Sequence, residues 1–117
     1  MSNQIAWLLK VEVKESIKFR ALMAEMVDAT KNEQGAIAYE WHLNKEETIY
    51  LLYERYISDA AVATHLETFG RFAKRFLEIS TPLEFTVFGN PSTDTVKALE
   101  GFTPAYWKLT RGFNRFS

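Results

Sequence analysis

The chain has 117 residues, 14 Lys and Arg against 15 Asp and Glu for a net charge of −1, no cysteine, and 15% aromatic residues. That length suits one domain that buries roughly two thirds of its unfolded surface. Without cysteine there are no disulfides, thiolate metal sites or cysteine nucleophiles, and the near-neutral charge lacks the excess that holds a phosphate backbone, so a cytoplasmic protein with no nucleic-acid partner is expected.

The opening MSNQIAWLLKVEVKES has no basic leader, and Lys10, Glu12 and Lys14 cut its apolar run, so neither a signal peptide nor a membrane span is expected. Within it, Trp7, Leu9, Val11 and Val13 alternate with Leu8, Lys10 and Glu12, the period of a first strand. Phe19, Leu22, Met23, Met26 and Thr30 recur every three or four residues, which predicts an amphipathic helix over roughly 15–33, stopped by Gly35 in left-handed geometry. AIAYEWHL and TIYLLYERY alternate again around the polar Asn44-Lys45-Glu46-Glu47, a β-hairpin pattern.

Ser58 or Asp59 is a candidate cap for a second helix carrying Val62, Leu66, Phe69, Ala73 and Phe76, with Gly70 as a point of breaking or bending. Pro82 halts it, and LEFTVFG reads as a fourth strand ending at Gly89. The order βαββαβ predicts an α+β fold, a ferredoxin-like four-stranded antiparallel sheet with both helices on one face. The third strand is apolar on both sides, Ile49, Leu51 and Tyr53 against Tyr50, Leu52 and Tyr56, so the face without helices also needs cover. A homodimer supplies it. Residues 1–90 form this domain; 91–117 are expected to add a short helix capped by Thr93 or Asp94, then a ring-rich tail lying over a partner subunit or over the mouth of a pocket.

Gly35, Tyr39-Glu40, Tyr53-Glu54, Asp59-Ala60, His65 and Thr68 follow the spacing of the antibiotic biosynthesis monooxygenase family, dimeric α/β barrels, which residues 4–89 resemble. The tail GFNRF is similar to one found on a subset of such proteins. The resemblance implies a cofactor-independent monooxygenase acting on a small aromatic or quinone-like molecule. Where members often carry a second histidine after the threonine, this chain has Gly70 or Arg71. Lys10, His65 and Arg75 stand where haem-degrading relatives place Asn, Trp and His, so haem degradation is not implied.

Of the two histidines, His65 is the better candidate base, since a neutral imidazole of pKa about 6.5 at a pocket rim takes and returns a proton. Glu54 and Glu40, on largely apolar strands, are each expected to be paired, with Arg55, Lys10 or Arg71 as partners, or to have a raised pKa. The candidate catalytic pair is His65 and Glu54. The candidate pocket is Trp7, Trp41, Tyr50, Tyr53, Phe69, Phe72 and Arg71. The histidine spacing matches no metal-ligand pattern and no phosphate-binding glycine loop is present, so neither metal nor other cofactor is expected. A non-catalytic module binding a small apolar molecule, or an isomerase or decarboxylase of the same fold, is the alternative.

Overall fold

A computed structural model describes residues 3–116. The elements run β1 (Ile5–Val13), α1 (Ser16–Thr30), β2 (Ala36–Leu43), β3 (Ile49–Tyr56), α2 (Asp59–Gly70), α3 (Ala73–Ile79), β4 (Ser80–Gly89), α4 (Thr93–Leu99), a 3₁₀ turn (Glu100–Phe102) and β5 (Ala105–Trp107). Met1, Ser2 and Ser117, which close the expected segments, lie outside the described residues. No helix among these residues is long and apolar enough to cross a membrane.

The sheet order is β2-β3-β1-β4-β5, with the first four strands antiparallel as expected. The fifth strand corrects the expected count: residues Ala105–Trp107 of the extension pair in parallel with Thr86–Phe88. Three residues carry no readable period, so the pairing is set by where α4 returns the chain rather than by local pattern. Register sorts the faces. Trp7 lies opposite Glu54 and Val87, and Leu9 opposite Leu52 and Phe85, all toward the helices. Alternation turns Lys10, Tyr53, Arg55 and Phe88 to the open face.

α1 buries Phe19, Leu22, Met26 and Thr30, the stripe its spacing predicted, and ends at Thr30 rather than 33. Phe19 stacks on Tyr50 with centroids 5.1 Å apart and meets Trp41 edge-on at 5.5 Å. The second expected helix is two helices. Arg71 N–H bonds to Thr68 O and Phe72 N–H to Phe69 O, three-residue closures that end α2 at Gly70, and the turn carries Phe72 inward before α3 starts. β4 begins at Ser80, ahead of Pro82, which sits where the β1–β4 register shifts and a missing N–H is tolerated.

Asn44 holds the hairpin, its Oδ1 accepting from both Thr48 and Ile49 N–H. Gly35 serves a purpose other than the left-handed stop expected of it. A Cβ there would lie 2.5 Å from Ala61 Cβ, so glycine is what lets the start of β2 press against α2. Ser58 caps α2 by accepting from Ala61 N–H, and Ser92, not Thr93 or Asp94, caps α4 by accepting from Thr95 N–H. Asp59 ties the two together, accepting from Thr95 Oγ1 at 2.6 Å, Ser92 N–H at 2.8 Å and Asn3 Nδ2 at 3.0 Å. The extension is therefore pinned to the domain through α2 before Phe116 returns over the open face, where the Arg55 guanidinium lies 5.0 Å from its ring.

Candidate active site

Two apolar clusters fill the space between sheet and helices, one centred on Phe19, Leu52 and Phe76, the other on Ile5, Trp7, Tyr56, Val62 and Leu99. Between them is a cavity of ≈30 Å³ lined by members of both, together with Tyr39, Trp41, Phe69, Phe85 and Phe102 and the polar groups of Glu54 and His65. Its volume is that of about two water molecules.

His65 is 4% exposed and Glu54 3% exposed. His65 Nε2 stands 3.1 Å from Glu54 Oε1, and its Nδ1 stands 3.2 Å from both carboxylate oxygens of Glu33. The Tyr56 hydroxyl donates to Glu54 Oε1. These groups form a buried row: carboxylate, imidazole, carboxylate, phenol. The Tyr56 and Tyr39 rings flank the imidazole at 5.1 and 5.6 Å, and Trp7 lies 6.4 Å away.

The placement of Glu33 follows from Gly35. The close approach of Gly35 to Ala61 brings the α1–β2 connection onto α2, and His65 is one helical turn beyond Ala61. Glu33, two residues before the glycine, then reaches the ring.

Electrostatics corrects the expected neutral imidazole at a pocket rim. Burial alone would depress the His65 pKa, but hydrogen bonds and charges from Glu33 and Glu54 outweigh it and hold the pKa at about 9. At neutral pH His65 is an imidazolium that donates from both nitrogens. Burial, and then the Glu54 charge, drive the Tyr56 and Tyr39 phenols well above their ordinary values, so both stay protonated donors. Any cation held between the carboxylates would have to displace the imidazole, and among the described residues no group of three or more acidic or histidine side chains is placed to hold a metal ion.

Trp7, Trp41 and Phe69 border the cavity with His65 and Glu54, whereas the other expected pocket residues lie elsewhere. Tyr50 is on the correct face but is packed into the Phe19 cluster. Tyr53 is on the opposite face of β3, where its hydroxyl accepts from Arg55 Nε at 2.8 Å. Phe72 is buried between helices, and Arg71 is exposed with its guanidinium 5.8 Å from the Phe72 ring. None of the cations expected to pair with the two glutamates does so: Lys10 pairs with Glu84 at 3.1 Å, while Glu40 pairs with His42 at 3.1 Å on the exposed surface. Sequence reading missed Glu33, Tyr56 and Phe102 as members of the site. Only the short helix expected after residue 91 and the ring surplus of the tail hinted that the extension reaches it.

One further atom bears on chemistry. Among the described residues Trp41 Nε1 is the single buried side-chain nitrogen or oxygen without a hydrogen-bond partner. Leaving such a donor unpaired costs about 1–3 kcal/mol, and the group within its reach is the Tyr39 hydroxyl.

The family model for antibiotic biosynthesis monooxygenases matches residues 8–78, the stretch from β1 through the helix bearing His65 to α3. The chain belongs to the antibiotic biosynthesis monooxygenase family. Among solved structures, MupZ from Pseudomonas fluorescens is similar over 98% of this chain and 91% of its own, with TM-score 0.87 and 19% identity. Rv0793 from Mycobacterium tuberculosis covers 76% and 96%, with TM-score 0.63 and 22% identity. SnoaB from Streptomyces nogalater, a cofactor-independent oxygenase, covers 78% and 96%, with TM-score 0.66 and 15% identity. At these identities the likeness is one of fold. No curated protein sequence matches the chain. Within this member of the family, Phe85, Leu99 and Phe102 border the cavity from beyond the matched segment.

Proposed function

We propose that the protein is a cofactor-independent monooxygenase that oxidises a small aromatic or quinol-like substrate with dioxygen. The observation that carries this reading is the buried Glu33–His65–Glu54 row opening on a ring-lined cavity. Oxygenation without a cofactor needs the substrate itself to become electron-rich, which a positioned base achieves by removing a proton. With His65 already protonated, Glu54 takes that role and the imidazolium faces the anion that forms.

The reacting group is an activated CH₂. Glu54 removes a proton, and the carbanion passes one electron to dioxygen. The radical pair joins as a peroxide anion, which recovers the proton. Loss of the second C–H proton then breaks the O–O bond, leaving a carbonyl and water. The surrounding rings keep water from the intermediate.

A homodimer formed through the open face belongs to the same proposal. Trp107 there is 61% exposed, and Leu51 and Phe116 are also large exposed apolar groups. Sedimentation analysis would show a two-chain particle, and a monomer at micromolar concentration would remove this part.

The activity is tested by oxygen uptake with hydroquinones and anthrones. Glu54→Gln lowers turnover by at least about a hundredfold. Equal turnover by the variant, or no uptake by the wild type, overturns the assignment. Substrate loss without oxygen would instead make the protein an isomerase or decarboxylase. The complete internal pairing of His65 favours, as a second reading, a module that binds such a molecule without reaction; it predicts ligand-induced rises in Tm with no product.

A further inference from the structure

The cavity beside His65 is separated by a thin partition from a larger space. A hollow of ≈390 Å³ lies outside it, bordered by Leu77, Pro82, Leu83, Glu84 and Gly101–Thr103. Leu9, Phe85 and Phe102 border both spaces. The Phe85 and Phe102 rings, centroids 5.6 Å apart, are the only aromatic residues shared by the two linings.

Phe102 is carried by a short turn with open space on one side. It sits in a 3₁₀ turn between Gly101, which has nothing within 4 Å of where a Cβ would be, and Thr103, held at φ 46°. A β-branched residue in the left-handed region is strained, and Thr103 is held there by the bond from its N–H to Glu100 O that closes the turn. Phe102 itself is only half-buried.

We propose that the outer hollow is a subsite for a neutral apolar arm of the substrate, with Phe102 as the partition that swings aside to join it to the inner cavity. The inference rests on reading the inner cavity as the reaction site. Two observations argue for this occupant. The inner cavity alone is far below the roughly 300 Å³ at which pockets begin to hold drug-sized molecules, and the joined space exceeds it. The outer lining is as polar as it is apolar, but its large exposed side chains are Leu77 and Leu83, 51% and 47% exposed, and its one charged group, Glu84, is already paired with Lys10. An alkyl or aryl arm covers those leucines; an anionic arm finds no free cation. The ligand class is therefore a phenol, hydroquinone or anthrone bearing an uncharged apolar substituent.

The probes are hydroquinone and hexylhydroquinone, titrated anaerobically against the full chain with tryptophan quenching as readout, since Trp7 and Trp41 line the cavity. At about fourfold per buried methylene, the hexyl compound binds at least about thirtyfold more tightly. Leu83→Asp and Leu77→Asp each cut that ratio to about threefold or less, and either suffices if the other misfolds. Phe102→Ala raises the stopped-flow association rate of the hexyl compound by about fivefold or more, as expected when a gating step is removed. A wild-type ratio below about twofold, a ratio retained in a folded Asp variant, or an unchanged association rate overturns the subsite. Missing oxygen uptake with the binding ratio intact sinks only the enzymatic reading; uptake that ignores the arm sinks only the subsite.

Discussion

The charge on His65 makes stability depend on pH in a direction that can be worked out in advance. Its folded pKa of about 9 lies above the unfolded value of 6.5, so the folded state holds the proton more tightly. The resulting stabilisation is fully present below pH 6.5 and is lost as pH rises through 9. Over that interval, at about 1.4 kcal/mol per pH unit, it amounts to about 3 kcal/mol, a large fraction of a small domain's stability. The groups facing the ring are Glu33, Glu54, Tyr39 and Tyr56, and the phenols, both pushed upward, do not titrate in this window. Urea unfolding from about pH 6 to 9.5 measures the loss directly. Glu33→Gln keeps an acceptor near Nδ1 but removes its charge. The variant is less stable than wild type by about 2 kcal/mol at the acid end, and the two curves converge at the alkaline end. Parallel curves, or a wild type as stable at the alkaline end as at the acid end, would refute the imidazolium and with it the assignment of Glu54 as base.

Gly35→Ala places a methyl group 2.5 Å from Ala61 Cβ. It destabilises by about 2 kcal/mol in chemical denaturation, and by shifting α2 it lowers the alkaline His65 pKa seen by imidazole NMR. Asp59→Ala removes the bonds from Asn3, Ser92 and Thr95, costs about 2 kcal/mol, and speeds amide exchange across residues 90–107. Although partial burial acts against it, the Asp59 pKa is lowered by those same bonds, so the wild type also loses stability as pH falls through the lowered value while the variant does not.

The four antiparallel strands and the α1 stripe were legible because burial on one face imposes a period of two on strands and 3.6 on helices, as in Trp7-Leu9-Val11 and Phe19-Leu22-Met26. β3 was legible as a strand yet ambiguous in orientation. Ring residues point both ways from it, so alternation separated Tyr50 from Tyr53 without indicating which faced the helices. His65 and Glu54 were recognisable as the chemically important pair. Their states were not, because the pKa of a buried histidine depends on Glu33, which lies in a polar turn and reaches the ring only through the Gly35–Ala61 contact. β5 escaped for a related reason: a short parallel pairing depends on the path of the chain through α4, which no local pattern records.

The family-matched segment supplies the proton row and most of the cavity wall, and the rest of the wall comes from outside it. Residues 8–78 contribute the whole proton row, Glu33, Glu54, Tyr56 and His65, whereas Trp7, Phe85, Leu99 and Phe102 complete the wall from outside that range. Leu99 tests the division because it belongs to both wall and core, being fully buried against the cluster of Ile5, Trp7, Tyr56, Val62 and Val87. Leu99→Ala is expected to cost about 3 kcal/mol on unfolding and to widen the cavity. It leaves the His65 pKa near 9, since the groups that raise it are untouched. A variant in which the pKa falls along with stability would show that the extension supports the proton row as well as the wall, and the division drawn here would fail.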